Sequence, residues 1–268
     1  MERASSAPTI TINYILAVPN DRITIESVHD ATGVRAALDV SHKIWGPESA
    51  GDTDVYVAVV RHGGYMVVAR DRGLAVGASF GFVTDRGLGL HSHFTGVVAT
   101  HAGGGLGQQL KQFQRTWAAE RGIDHITWTF DPLVRRNAWF NLIGLGARVV
   151  GYSENYYGAM DDAINGGDET DRLEVWWPVA DSTPAKPLAG DGDGDGDGDD
   201  DDDGDNDGDG TRRAIIPTPP DIEALRSGDM AEALAWRHRL RTELGSPLAA
   251  GGRVVGLTVD GSYVVELP

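Results

Sequence analysis

The 268-residue chain has no cysteine. That excludes disulfide frameworks, thiolate zinc sites, iron–sulfur clusters and a cysteine nucleophile. Lysine is scarce: three residues, Lys43, Lys111 and Lys186, stand against 20 arginines. No apolar run approaches the ~20 residues needed to cross a bilayer, so no membrane partner is expected. The segment Met1–Asn13 has no basic region followed by an apolar stretch, which predicts no secretory leader and a cytoplasmic location. The excess of acid over base argues against a nucleic-acid partner, which needs clustered Lys and Arg.

What is abundant is acid. The formal net charge is −17, with 29 Asp and 11 Glu. Residues 191–210, DGDGDGDGDDDDDGDNDGDG, hold 12 Asp and no base, and outside them the balance is −5 (23 basic against 28 acidic residues). A lysine-poor acidic surface suits concentrated salt, where repulsion is screened within a few ångströms, so a halophilic setting is expected. The Asp/Gly run resembles the opening of a calcium loop, but it lacks the flanking helices and the closing Glu. With nothing apolar to bury, it reads as a solvated linker.

Periodicity organises the rest. Strand-like runs are expected at Ile23–His29, Tyr65–Arg70, Leu74–Val83, Leu88–Ala99, Ile123–Phe130, Ala147–Tyr157 and Leu173–Trp177. Helical spacing marks Ala31–Trp45, Asp54–Arg61, the stretch from Leu106 to Gly122, and Arg135–Leu145. Asp71-Arg72-Gly73 and Asp85-Arg86-Gly87 are turn signals. After the acidic run, Asp221–Leu244 reads as a helix interrupted near Gly228, and Arg253–Val259 and Ser262–Leu267 flank the hairpin signal Asp260-Gly261. The expected organisation is therefore a mixed α/β domain over 1–180, an acidic linker over 181–213, and a C-terminal helix-plus-hairpin extension over 214–268. The extension is too small to fold alone and should dock on the main domain.

The most informative stretch is Val97-Val-Ala-Thr-His-Ala-Gly-Gly-Gly-Leu-Gly-Gln108, where a strand meets three glycines and then a helix. Glycines let backbone N–H groups approach a ligand, and a first helical turn carries unpaired donors and a partial positive charge. The combination suits a pyrophosphate. A dinucleotide fingerprint would need G-x-G-x-x-G in the first βαβ unit and an acid about twenty residues on, and a P-loop would need Gly-Lys-Ser/Thr. Neither spacing is met. A coenzyme A cradle and a plain glycine connector remain.

Ala102-Gly-Gly-Gly105-Leu-Gly107 resembles the acyl-CoA motif of the GNAT acyltransferase superfamily, Arg/Gln-x-x-Gly-x-Gly/Ala, with Gly105 and Gly107 at its glycines and Ala102 in place of the leading Arg/Gln. Ile126–Leu133, Arg136–Asn141 and Leu145-Gly-Ala147 resemble the strand and helix that follow in that superfamily. His91-Ser-His93, Asn155-Tyr-Tyr-Gly158 and Thr170-Asp-Arg-Leu173 resemble a little-characterised bacterial and archaeal branch of it, as does the C-terminal piece around Ala235-Trp-Arg237.

The resemblance implies a mixed, mostly antiparallel central sheet flanked by helices. It implies transfer of an acetyl group, or a succinyl group, from acyl-CoA to the amine of a small molecule such as an amino acid, in a monomer or homodimer. Acyl-CoA would lie on Val97, Val98, Ala99, Ala102, Gly103, Gly104, Gly105, Leu106, Gly107 and Gln108, with Asn137 nearby. The superfamily often places a Tyr acid where this chain has Leu142. Candidates for proton transfer are therefore His93, with a hydrogen-bonded sheet histidine as the bland alternative, and Tyr156 and Tyr157, with core or rim packing as theirs. His91, two residues from His93 on one strand face, and Arg172, able to grip a carboxylate, are candidates for substrate binding. An ion pair of Arg172 with Asp171 or Asp168 is the competing expectation. A His-x-His pair could ligate metal, but no further ligand cluster accompanies it, so no metal is expected. A non-catalytic acyl-CoA-binding module of the same fold is the alternative reading.

Overall fold

The computed structural model describes residues 15–17, 22–47, 51–84, 89–158, 168–180, 183–188 and 212–268. The Asp/Gly run and the turn at 85–87 lie outside them. The chain forms two compact units, residues 1–82 with 94–114, and residues 83–93 with 115–268.

The first unit is an antiparallel ladder of β1 (Ile15–Ala17), β2 (Ile23–Ser27), β3 (Tyr65–Asp71) and β4 (Leu74–Thr84), joined by the second half of β5 (Gly89–Val97). Helices α1 (Ala31–Trp45) and α2 (Thr53–Arg61) cover it. The side chain of Asp30 caps α1 by accepting from Gly33 N–H at 2.8 Å. Val34, Ala37 and Leu38 of α1, Tyr56 and Val60 of α2, and Met66, Val68, Ala78 and Phe80 of the ladder form one apolar cluster. Helical and strand periods thus meet face to face, as the spacing predicts. A tilted Phe80–Phe94 contact with centroids 5.9 Å apart extends this packing to β5.

The second unit is built on the first half of β5, then β6 (His125–Phe130), β8 (Arg172–Pro178) and β7 (Arg148–Ser153). The β5–β6 pairing is parallel, and every other strand pairing described here is antiparallel. A parallel neighbour requires a crossover, and α3 (Leu106–Ala119) supplies it. Both β6 and β8 alternate buried and half-buried residues. Their buried face carries Ile126, Trp128, Phe130, Leu173, Val175 and Trp177. Short α4 (Arg135–Ala138) and a π-turn over Trp139–Gly144 satisfy its polar atoms. Trp128 Nε1 donates to Asn141 Oδ1 at 3.1 Å, and Trp177 Nε1 donates to the Leu145 carbonyl at 2.8 Å.

The C-terminal segment belongs to this second unit. It forms α5 (Ile222–Gly228), α6 (Met230–Leu240), α7 (Ser246–Ala249) and a three-stranded sheet in the order β10 (Arg253–Leu257), β11 (Tyr263–Glu266), β9 (Arg213–Ile216). Arg226 and Arg237 from α5 and α6 reach Asp131, just past β6, and Asp168, just before β8. Arg226 Nη2 lies 2.6 Å from Asp131 and 2.8 Å from Asp168, and Arg237 Nη2 lies 2.7 Å from Asp168. All four side chains are buried. Burial opposes ionisation of Asp131, but the charges of Arg237 and Arg226 outweigh it and hold the carboxyl at about 2.

Three expectations change. Residues 183–188, assigned above to the linker, are bonded to ordered elements: Ala185 N–H donates to Ile143 at 3.0 Å and Leu188 N–H to Leu257 at 2.8 Å. Here backbone pairing decides, which composition does not register. The linker's last residue, Arg213, begins β9, so the hairpin grows to a three-stranded sheet. The strand expected over Ala147–Tyr157 stops at Ser153, and Glu154–Tyr157 form a turn in which Asn155 has φ 45°. Asp171 fixes that turn by accepting from Asn155 N–H at 2.9 Å.

Candidate functional site

The glycine turn lies in the first unit. β5 ends at Val97, a short 3₁₀ turn spans Ala99–His101, and α3 begins at Leu106. His101 ties the turn to the end of β3: its Nε2 lies 3.1 Å from Asp71 Oδ2, and Arg22 Nη2 lies 3.0 Å from the same oxygen. The His101 hydrogen bond, followed by Arg22, holds the Asp71 carboxyl below its ordinary range.

Ala102, Gly103, Gly104 and Gly105 are exposed, while Leu106 turns inward and is buried. Gly103 and Gly105 adopt φ of 78° and 80°, where any Cβ would be strained. Gly104 has no such φ, and a Cβ on it would come no nearer than 3.8 Å to any atom considered, the His101 carbonyl oxygen. Neither backbone nor packing requires glycine there. Among the described residues the N–H groups of Gly103, Gly104, Gly105, Leu106 and Gly107 have no internal acceptor. Gln108 follows in the exposed first turn of α3. The surroundings therefore fit a phosphate-bearing group. Upstream, Val98 is partly committed: its N–H donates to Val76 at 2.9 Å and its carbonyl accepts from His101 N–H at 2.9 Å. The Ala99 carbonyl accepts from Ala102 N–H at 3.2 Å.

Beneath the turn, Lys111 of α3 is buried. Its Nζ donates to Gln114 Oε1 at 3.3 Å, Gln114 Nε2 donates to Ser79 Oγ at 3.5 Å, and Ser79 Oγ lies 2.8 Å from Thr95 Oγ1 on β5. Burial brings the Lys111 ammonium down to about 7.

The second unit holds the other candidates. His91, Thr127, Thr129, Arg172, Glu174 and Trp176 occupy the half-buried face of β5, β6 and β8, because period-2 alternation and the ladder register bring them to one side. His91 Nδ1 lies 3.4 Å from Thr127 Oγ1, and its ring centroid is 6.5 Å from that of His93. His93 is solvent-exposed, yet its ring is crowded enough by protein atoms that desolvation lowers its pKa.

Tyr156 and Tyr157 are in the turn after β7. Both are exposed and pack edge to face with centroids 4.7 Å apart, so neither is a core aromatic. Tyr157 Oη lies 3.4 Å from Thr129 Oγ1. Desolvation, then Tyr157 and Glu174, raise the Tyr156 pKa. Arg172 Nη1 donates to the Asp171 carbonyl at 2.9 Å, and its guanidinium stands 5.4 Å from the Tyr157 ring centroid. The ion pairs anticipated for Arg172 do not form. Asp168 is taken by Arg226 and Arg237, and Asp171 by Arg241 at 2.6 Å.

Asn137 is half-buried on α4. Its neighbours Arg135 and Arg136 turn to the C-terminal segment, to Thr218 and Glu223. Leu142, at the position where the resemblance implies a Tyr acid, is buried. Sequence reasoning missed Thr127, Thr129 and Glu174. Their signal was the alternation Ile126-Thr-Trp-Thr-Phe130 and Arg172-Leu-Glu174. Among the described residues no group of three His, Asp or Glu side chains could hold a metal ion. A cleft of about 290 Å³ between β7, Thr183–Ala185 and β10 contains none of the expected site residues.

No family model matches the chain. No curated protein matches it. Solved structures do. A GNAT-family acetyltransferase from Streptococcus pneumoniae is 11% identical, with a TM-score of 0.48 over 58% of this chain and 99% of its own. Each of the neighbours cited here is an acetyltransferase. The ribosomal-protein alanine N-acetyltransferase of Escherichia coli is 15% identical, with a TM-score of 0.48 over 63% of this chain and 97% of its own. Aminoglycoside 6'-acetyltransferase type Ii is 17% identical, with a TM-score of 0.47 over 59% and 97%. With TM-scores below 0.5 this is a loose likeness, and the weight falls on the glycine turn.

Proposed function

We propose that the chain is a CoA-dependent N-acyltransferase that moves an acetyl or succinyl group from acyl-CoA to the amine of a small molecule. The observation that carries this reading is the run of N–H groups without internal acceptors from Gly103 to Gly107, at the head of a 14-residue helix. Those amides would hold the coenzyme's diphosphate, and the backbones of Val97 and Ala99 would serve its arm; Asn137 is a further candidate on the resemblance alone. Acyl-CoA supplies an activated thioester, and the protein must then accept a proton from the amine and return one to the leaving sulfur. His93, its charged form disfavoured by desolvation, is suited to accept. Tyr156, which its raised pKa keeps protonated, is the candidate donor, with Tyr157 beside it. No described helix is long and apolar enough to cross a membrane. A salt-rich cytoplasm is the setting we propose.

The second reading is an acyl-CoA-binding module without turnover. Leu142 favours it, because it places a buried alkyl group where the resemblance implies a proton donor.

Thermal melts with acetyl-CoA, succinyl-CoA and free CoA, in dilute buffer and in molar KCl, test both readings. Both expect a rise in Tm, and the first also expects CoA release when a panel of amines is added. Gly104→Ala should leave stability within about 0.5 kcal/mol of wild type and weaken acyl-CoA binding about tenfold. No Tm shift at any salt concentration would sink both readings, and binding without CoA release would leave only the second.

A further inference from the structure

Strand β8 places Arg172 and Glu174 two residues apart on its half-buried face, roughly 7 Å apart at Cα. Opposite charges so placed could pair, yet no ion pair joins them, and each is oriented by something else. Among the described residues Arg172 meets no carboxylate. One of its five or so N–H donors is committed, Nη1 to the Asp171 carbonyl, while the Tyr157 ring supports the guanidinium plane. The acids behind it are already matched: Asp131 and Asp168 face Arg226 and Arg237, a set whose charges cancel, and Asp171 faces Arg241. Arg172 thus stands outside these ion pairs, although Glu154 and Glu169 also share Arg241. Desolvation works against its charge, with Arg237 and Arg226 adding to that and Asp131 and Tyr157 opposing it. Glu174 accepts from the Ser153 hydroxyl and meets no cation among the described residues. Thr129 stands opposite Glu174 in the ladder, and its hydroxyl reaches Tyr157, which ties both charges to one small patch.

We infer that Arg172 and Glu174 form a receptor for a zwitterion, with the guanidinium taking the carboxylate of a free α-amino acid and the Glu174 carboxylate taking its ammonium. A planar guanidinium grips a carboxylate through parallel N–H bonds, which an uncharged amide cannot match. The assignment rests on the acyltransferase reading only in making this ligand the amine acceptor. The receptor itself does not need acyl-CoA.

The test is a melt of the full chain with each of the twenty free amino acids and with the matching carboxamides. Acetyl-CoA is run separately. At least one amino acid should raise Tm, and its carboxamide should bind at least about tenfold more weakly. Arg172→Gln and Glu174→Gln should each weaken that amino acid about tenfold or more while the acetyl-CoA shift stays as in wild type. Arg172→Lys should recover part of the loss. The assignment is overturned if no amino acid shifts the melt, if carboxamides bind as well as acids, or if both variants bind like wild type. Should a variant fail to fold, the comparison of acid with carboxamide on the unaltered chain decides alone. A missing acetyl-CoA shift with the amino-acid shift intact would overturn the transferase reading and leave the receptor standing.

Discussion

Lys111 shows how much a single residue can conceal. Its sequence context, Leu110-Lys-Gln-Phe113, gives no warning that the ammonium is buried, because nothing in helical spacing says which strand lies beneath. In the structure its value falls to about 7, well under the ~10.4 of an unfolded chain. A lysine depressed in this way gives up a proton on folding between those two values, so stability rises as pH climbs from about 7 towards about 10. Denaturant melts at pH 7 and pH 9.5 should show that gain, and Lys111→Met should abolish it. Equal dependence in both proteins would mean that the lysine is not desolvated. His91 and His93 were legible as residues of one face, since two positions on a strand allow nothing else. That Arg172 would lose both anticipated partners was not, because Arg226, Arg237 and Arg241 lie 54 or more positions further along the chain.

Among the elements, those with a clear period were legible. α1 begins and ends where Asp30 and Gly46 place it, and β6 and β8 alternate as their sequences do. Elements held by pairing rather than composition were not. β1 has three residues, β9 four, and neither carries a pattern of its own. The turn at Glu154–Tyr157 was taken into a strand because Gly-Tyr-Ser-Glu-Asn-Tyr-Tyr has strand-like aromatics; Asp171, sixteen residues beyond Asn155, imposes the bend. The glycine turn was legible as the break between β5 and α3, since three adjacent glycines interrupt both periods. β8 itself makes a mechanical prediction. Trp177 is fully buried and its indole N–H is bonded, so Trp177→Ala should cost about 3–5 kcal/mol, read from urea midpoints at unchanged m. A loss under about 1 kcal/mol would show that this face is not packed as described.

At the scale of the molecule, the C-terminal segment is fastened by charge as much as by apolar contact. Truncating Arg237 leaves the buried Asp131 and Asp168 short of a cation. Arg237→Ala should therefore destabilise by about 3–5 kcal/mol, while a well-packed Arg237→Met costs less. The same cluster sets an acid limit. Asp131 titrates near 2 when folded and near 4 when unfolded, so its stabilising contribution is present above about pH 4 and is lost as pH falls towards 2. Melts between pH 5 and pH 2 should show a decline that Asp131→Asn blunts. An undiminished slope in that variant would assign acid lability elsewhere.

The two residues that bracket the acidic run are held by one and the same small sheet. Leu188 donates to Leu257 at the end of β10, and Arg212 accepts from Leu267 just past β11, each at 2.8 Å. The described residues on either side of the run are thus anchored to that sheet. Closure entropy grows only with the logarithm of contour, about 0.6 kcal/mol per doubling, so this stretch can lengthen, shorten or change its number of aspartates across generations with little penalty to the architecture.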